Sequence, residues 1–231
     1  MDRILPTYRP RKRPVGWQKW RKLLFIHWPV PVEMLQQLIP HQLTIDTHEG
    51  HAYIGLVPFV MEDIHPWWLP FRMNFLETNV RTYVHHEGRD PGVWFFSLDA
   101  SSWLAVQAAR MGWGLAYHHA KMSCGDNYYQ SQRRTNGAGL SVNYQVGQPI
   151  SDSRPESLEY FLLERYLLYA QRRGKLYRGQ VHHAPYPAHH ATISSIDETL
   201  TSAAGVAKSS APPLVHYSAG VDVEMFELSP I

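Results

Sequence analysis

The stretch Asn74-Phe75-Leu76-Glu77-Thr78-Asn79-Val80-Arg81-Thr82-Tyr83-Val84 decides how the rest of the chain is read. Taken as a strand, it sets Glu77, Asn79, Arg81 and Tyr83 on one face. Leu76, Thr78, Val80, Thr82 and Val84 take the other, because side chains alternate along a strand. One face is then a ladder of carboxylate, amide, guanidinium and phenol. Such a face suits the wall of a polar pocket, and it suits water equally well.

Working outward, the first half reads mainly as strands. Residues 22–28 are rich in β-formers and end at Pro29 and Pro31. A short helix is expected over 32–38, and a second strand over 51–61 after the Glu49-Gly50 turn signal. Residues 64–71 form an aromatic loop ahead of the Glu77 strand. Residues 86–92 read as a hairpin loop, so 93–98 should return as an antiparallel partner. A helix is expected over 99–111, capped by Ser101 or Ser102, with Trp103, Leu104 and Val106 among its apolar contacts and Gly112 and Gly114 at its end. Strands follow over 116–122, 128–133 and 139–146. The clearest helix pattern runs from Pro155 to Arg172, with Ser153 and Glu156 at capping-box spacing. Residues 174–183 return to a turn and strand, and another strand is expected near 213–218. Strands outnumber helices and no βαβ rhythm is visible. The class is therefore α+β, mostly antiparallel β. No linker divides the chain, so 1–231 is read as one domain with 1–16 as a flexible basic leader.

Composition narrows the function classes. A net charge of +2 over 231 residues predicts neither a nucleic-acid binder nor an enzyme for acidic substrates. The single Cys124 excludes an intrachain disulfide and fits a reducing cytoplasm. The N-terminus shows no secretory signal. The apolar run over 23–32 holds His27 and two prolines, and falls far short of the roughly 20 residues a membrane span needs.

Several residue types could carry chemistry. Arg81 matches a carboxylate with two donors, and Glu77 on the same face could pair with it or act as a general base. The histidines come in adjacent pairs, 85–86, 118–119, 182–183 and 189–190. Each pair offers at most one inward ligand from a strand, and no helical metal spacing is present. A strand over 116–122 would put Tyr117, His119 and Lys121 on one face. A buried lysine there could act as an amine nucleophile, whereas at a strand end its ammonium would sit in water. No phosphate loop, nucleophile elbow or dinucleotide fingerprint occurs, so no nucleotide cofactor is expected.

Long segments resemble a bacterial family known as domain of unknown function 2071, within the acetoacetate decarboxylase-like superfamily. The resemblance spans about residues 17–190. It is carried by Leu24-Phe25-Ile26-His27-Trp28-Pro29-Val30-Pro31, Ala52-Tyr53-Ile54-Gly55-Leu56-Val57-Pro58-Phe59, Glu77-Thr78-Asn79-Val80-Arg81-Thr82-Tyr83-Val84, Trp94-Phe95-Phe96-Ser97-Leu98-Asp99 and Val181-His182-His183-Ala184-Pro185-Tyr186-Pro187. It implies a cone-shaped antiparallel β-barrel or paired-sheet architecture, flanked by a few helices, with a central cavity. The decarboxylases of the superfamily form a Schiff base through a lysine of depressed pKa, placed in a Gly-x-Pro-Lys-Lys stretch. The matching stretch here is Gly114-Leu115-Ala116-Tyr117-His118-His119, so Tyr117 and His118 stand where the two lysines fall. The resemblance also sets Glu77 opposite the decarboxylases' cavity glutamate.

The resulting expectation is a cytoplasmic protein with a cavity for an acidic or carbonyl small molecule. Asn79, Arg81, Tyr83 and Tyr117 would bind the ligand, and Glu77, His119 and Lys121 would supply lyase-type chemistry. A non-catalytic binding or sensing protein is the alternative, and a His-bound metal hydrolase is the third. Neither nucleic acid nor membrane is expected as a partner. Trp67 and Trp68 suit a lid or the contact of a homo-oligomer.

Overall fold

The computed structural model describes residues 1–68, 71–150 and 153–231, with the side chains of 111–113 outside the description. In chain order the strands and helices are β1 (Gly16–Val30), α1 (Val32–Gln36), β2 (Leu43–Ile45), β3 (Ala52–Pro66), β4 (Met73–His86), β5 (Arg89–Ala100), α2 (Trp103–Trp113), β6 (Tyr117–Cys124), β7 (Tyr128–Arg133), β8 (Gly139–Pro149), α3 (Leu158–Leu163), β9 (Leu167–Arg172), β10 (Lys175–His182), β11 (Ala188–Glu198), α4 (Leu200–Ala203), β12 (Leu214–Met225) and β13 (Ser229–Pro230).

All these strands join one sheet, in the order β13-β10-β9-β5-β6-β7-β8-β11-β12-β1-β3-β4-β2. Two more pairings, β5 with β4 and β10 with β12, close it into cycles. One cycle runs through β4, β5, β6, β7, β8, β11, β12, β1 and β3. The other runs through β5, β9, β10, β12, β1, β3 and β4. The five strands common to both carry a core on each face. Leu24, Ile26, Val80 and Val84 pack with Tyr129, Val142 and Tyr144 in one. Phe25, Val57 and Tyr83 pack with Phe161, Leu162 and Val181 in the other. Sharing of this kind buries β4 on both sides: Thr78, Val80, Thr82 and Val84 are as enclosed as Glu77, Asn79, Arg81 and Tyr83. The ladder of polar groups therefore turns inward and not to water.

Three sequence expectations need correction. The helix pattern over 155–172 yields only α3, capped by Ser157, whose side chain accepts the Tyr160 amide. The chain leaves helical geometry at Glu164 (φ −86°, ψ 82°), and residues 167–172 become β9. An apolar run of that length fits strand or helix, and pairing decides. β9 lies parallel to residues 92–94 of β5, and a Cβ at Gly92 would meet the Leu167 carbonyl oxygen at 2.7 Å. Glycine is what admits the second strand.

The helix expected over 99–111 begins at Trp103, with Ser102 as its cap and Gly114 left-handed at its end (φ 67°). Asp99 belongs to β5 instead. Ala105 and Val106 face inward, while Trp103 and Leu104 are exposed. This helix also connects β5 to β6, which pair in parallel, so one βαβ crossover exists within the mostly antiparallel sheet.

The basic leader is docked, not free. Leu5–Thr7 form a 3₁₀ turn, Gln180 Nε2 donates to the Pro6 carbonyl at 2.9 Å, and Arg3 and Arg9 pair with Asp46 and Glu224. Among the described residues, no helix is long and apolar enough to cross a membrane.

Candidate functional site

The inward face of β4 carries two groups of side chains, one at each end. At the α3 end, three strands align a row across the sheet: His27 of β1 is paired with Gly55 of β3, and Gly55 with Arg81 of β4. A Cβ at Gly55 would stand 3.0 Å from His27 Cδ2 and 3.4 Å from Arg81 Cγ. The missing side chain lets imidazole and guanidinium lie across the middle strand.

Arg81 is 8% exposed. Its Nη2 donates to the Leu162 carbonyl at 3.2 Å, and its guanidinium sits 5.5 Å from the Phe25 ring and 5.8 Å from the Tyr83 ring. Its Nε has no partner. Among the described residues no carboxylate lies within ion-pair distance of it. A buried cation is normally paired, so this one is open to an anion. Around it stand neutral rings. Burial, with help from Arg81 and His216, pushes the pKa of His27 well below the usual imidazole value. Burial also pushes His183 down to about 4. His183 stacks on Tyr166 at 4.4 Å and lies 4.7 Å from Tyr186 and 5.7 Å from Trp20.

At the α2 end, the Glu77 carboxyl is 3% exposed, and the Tyr117 hydroxyl donates to its Oε2 at 2.7 Å. Burial raises its pKa from 4.5 to about 7. Hydrogen bonds from Tyr117 and Asn79 oppose the rise, and the Asp99 charge adds to it. Burial and the neighbouring carboxylate drive the Tyr117 phenol well above its ordinary value. Arg110 of α2 donates through Nε to the Tyr117 carbonyl at 2.7 Å, fixing helix to strand. At neutral pH this carboxyl is poised to give or take a proton.

Of the other predicted residues, His119 stands in the row of Glu77, two strands away across Ala100, and Lys121 lies further along β6. β6 follows β5 only over Tyr117–His119, because β5 ends at Ala100. Beyond that point β6 loses β5 as a neighbour. His119 is therefore half-buried and Lys121 exposed. Lys121 lines an outer cleft of about 430 Å³ with Gln132, Asp197 and Thr199, and is not brought to Glu77. A second outer cleft of about 400 Å³ is lined by Trp17, Asp63, His65 and Glu224, which also lie outside this site. His118 points to the opposite core face, near Asp99 and Arg133. There Arg133 Nε donates to Asp99 Oδ1 at 2.9 Å, and Nη2 donates to Ser97 Oγ at 2.6 Å. Among the described residues, no group of three or more His, Cys, Asp or Glu is placed to hold a metal ion.

His27, Gly55, Trp20, His183 and Tyr186 were not among the expected site residues. The signals were present: a histidine in an apolar strand, a glycine inside another, and a Pro-flanked tyrosine after a histidine pair.

The architecture has solved counterparts. An acetoacetate decarboxylase from Legionella pneumophila superposes with a TM-score of 0.65 at 10% identity, covering 100% of this chain and 96% of that one. Another acetoacetate decarboxylase gives 0.67 at 12% identity, covering 96% and 90%. The enduracididine biosynthesis enzyme MppR, solved in complex with pyruvate, gives 0.64 at 11% identity, covering 95% and 91%. The fold is thus of the acetoacetate decarboxylase-like class. The profile of the DUF2071 family, described as an uncharacterized conserved protein, matches residues 17–222. The Bacillus subtilis (strain 168) protein YqjF, described as uncharacterized, is 36% identical over 219 residues, 91% of this chain and 90% of the relative. The chain belongs to the DUF2071 family.

Proposed function

We propose that this protein binds a small carboxylic acid inside the sheet, with the carboxylate on Arg81 and a carbonyl directed at Glu77. The observation that carries this reading is the buried Arg81 guanidinium without a carboxylate partner among the described residues. Arg81 stands four positions after Glu77, about 13 Å along a strand. With hydrogen-bond distances of about 3 Å at each end, roughly 7 Å remains for the ligand's own skeleton. An extended acid, with its carbonyl several bonds from the carboxylate, fits that span.

The chemistry that suits the far end is lyase-type proton transfer. Glu77 exchanges a proton next to the carbonyl, and Tyr117 holds the carboxyl in place. A Schiff base is not part of the proposal, because Tyr117 occupies the strand position and Lys121 is exposed. Borohydride treatment with keto acids should leave Lys121 unlabelled by mass spectrometry. Labelling that saturates with ligand would restore the imine route.

Calorimetric titration with 4-oxopentanoate, 5-oxohexanoate, pyruvate and acetoacetate tests the reading. The longer acids should bind more tightly. Arg81→Met should weaken them on the order of 100-fold, as for loss of one partner of a buried charge pair. Affinity unchanged by Arg81→Met, or no binding by any of the four, would overturn it.

A further inference from the structure

The hydrogen-bond requirements around Arg81 are not met by a carboxylate alone. Tyr83 settles the first of them. Its oxygen lies 2.7 Å from the Leu162 carbonyl oxygen and 2.7 Å from His27 Nε2. Two oxygens that close need a proton between them, and a carbonyl only accepts. The Tyr83 proton is therefore committed to Leu162. His27 Nε2 must carry a hydrogen and donate to the Tyr83 oxygen. In a neutral imidazole the other nitrogen is then a bare acceptor. That nitrogen, His27 Nδ1, is buried and has no partner.

His183 repeats the logic. Its Nδ1 is 2.8 Å from the Ala184 carbonyl oxygen, so Nδ1 carries the hydrogen and Nε2 is the bare acceptor. His183 Nε2 is likewise buried without a partner. Asn79 Oδ1 is a third acceptor in the same condition. On the donor side, Arg81 Nε and Trp20 Nε1 are buried and unpartnered. Asn79 lies towards Glu77, while the other groups belong to one cluster: Trp20 touches His183, His183 touches Tyr186, Tyr186 touches Phe25, and Phe25 lies against both Arg81 and His27. A carboxylate on Arg81 answers Arg81 Nε and repels the lone pairs of the acceptors. Leaving such groups unanswered is costly, about 1–3 kcal/mol each.

We infer that the ligand of this site is a hydroxy acid, with a hydroxyl on the carbon next to the carboxylate or one further, donating to His27 Nδ1 or His183 Nε2. The inference rests on the reading of Arg81 as the carboxylate anchor. A hydroxyl fits better than an ammonium, because an amino acid's positive charge would lie beside the guanidinium. Phe25, Tyr186 and Tyr166 supply ring faces for an apolar or planar remainder of the molecule.

Two matched sets of acids test it by calorimetric titration of the full chain. The first is 2-hydroxyhexanoate, 2-oxohexanoate, hexanoate and norleucine. The second is mandelate, benzoylformate and phenylacetate. In at least one set the hydroxy acid should bind ten-fold or more tightly than both its oxo and its unsubstituted counterpart, and norleucine should be the weakest of its set. Equal binding of hydroxy and parent acids would overturn the inference and leave the carboxylate anchor standing. No binding by any member would remove the anchor as well. His183→Phe, which keeps a ring against Tyr166, should narrow the gap between hydroxy and parent acids. Long-range ¹H–¹⁵N spectra supply a readout independent of any variant. They should show His183 protonated on Nδ1 and His27 on Nε2, and the opposite tautomers would also overturn the inference.

Discussion

Replacing Asp46 with alanine should lower folding stability by roughly 3–5 kcal/mol, the range for breaking a buried ion pair from one side. Asp46 is 3% exposed. Arg165 Nη1 donates to its Oδ2 at 2.8 Å, and Arg3 Nη2 donates to Oδ1 at 2.8 Å. Burial works to raise the pKa of Asp46, but the two guanidinium groups outweigh it and hold the carboxyl below its ordinary value. Arg165 is enclosed in its own right. Its guanidinium packs 4.3 Å from the Phe161 ring and 4.9 Å from the Tyr83 ring, and Nε donates to the Phe161 carbonyl at 2.9 Å. Without Asp46 two cations would face each other beside the ring that orders His27. Arg3→Ala, at a side chain 19% exposed, should lose only about 1 kcal/mol. Urea unfolding of the two variants measures the difference. A loss under 1 kcal/mol for Asp46→Ala would mean that water or a rearranged side chain takes over the pairing.

The arrangement shows which parts of the site are visible in a sequence. Alternation along β4 is local, and it placed Glu77, Asn79, Arg81 and Tyr83 on one face without reference to the rest of the chain. Whether that face met water was not local, since it depends on β9, β10 and α3 closing over it. Tyr117 and Lys121 illustrate the same limit. Their spacing puts both on one face of β6, yet one is buried and the other exposed because a neighbouring strand stops at Ala100. His27 and His183 lie more than 150 positions apart, and only the fold brings them into one aromatic cluster. The parallel pairing of β9 was hidden for a third reason. Its apolar run carries no period that separates strand from helix, and the residue that decides, Gly92, sits far upstream.

Glu77→Gln should make the protein more stable than the wild type above pH 8, on the order of 3 kcal/mol, and close to equal below pH 4.5. The folded chain holds the Glu77 carboxyl at about 7, against 4.5 when free in water. Between those values the native state keeps a proton that the unfolded chain has released. Stability from this group is therefore complete at low pH and falls as pH rises through the window. Asp99, raised by burial to about 6, acts in the same direction, and His183 and His216, held near 4, act in the opposite one. The difference between variant and wild type isolates Glu77 from all three. Glutamine can still accept the Tyr117 hydroxyl through its amide oxygen, so the comparison removes the charge and keeps the hydrogen bond. Unfolding curves at pH 4.5, 6 and 8 for both proteins give the result. A glutamine variant that is less stable than the wild type at pH 8 would show that the carboxylate is satisfied as an anion in the folded state. The same outcome would take away its fitness as a proton carrier near neutral pH, because a well-paired carboxylate has no proton to give there.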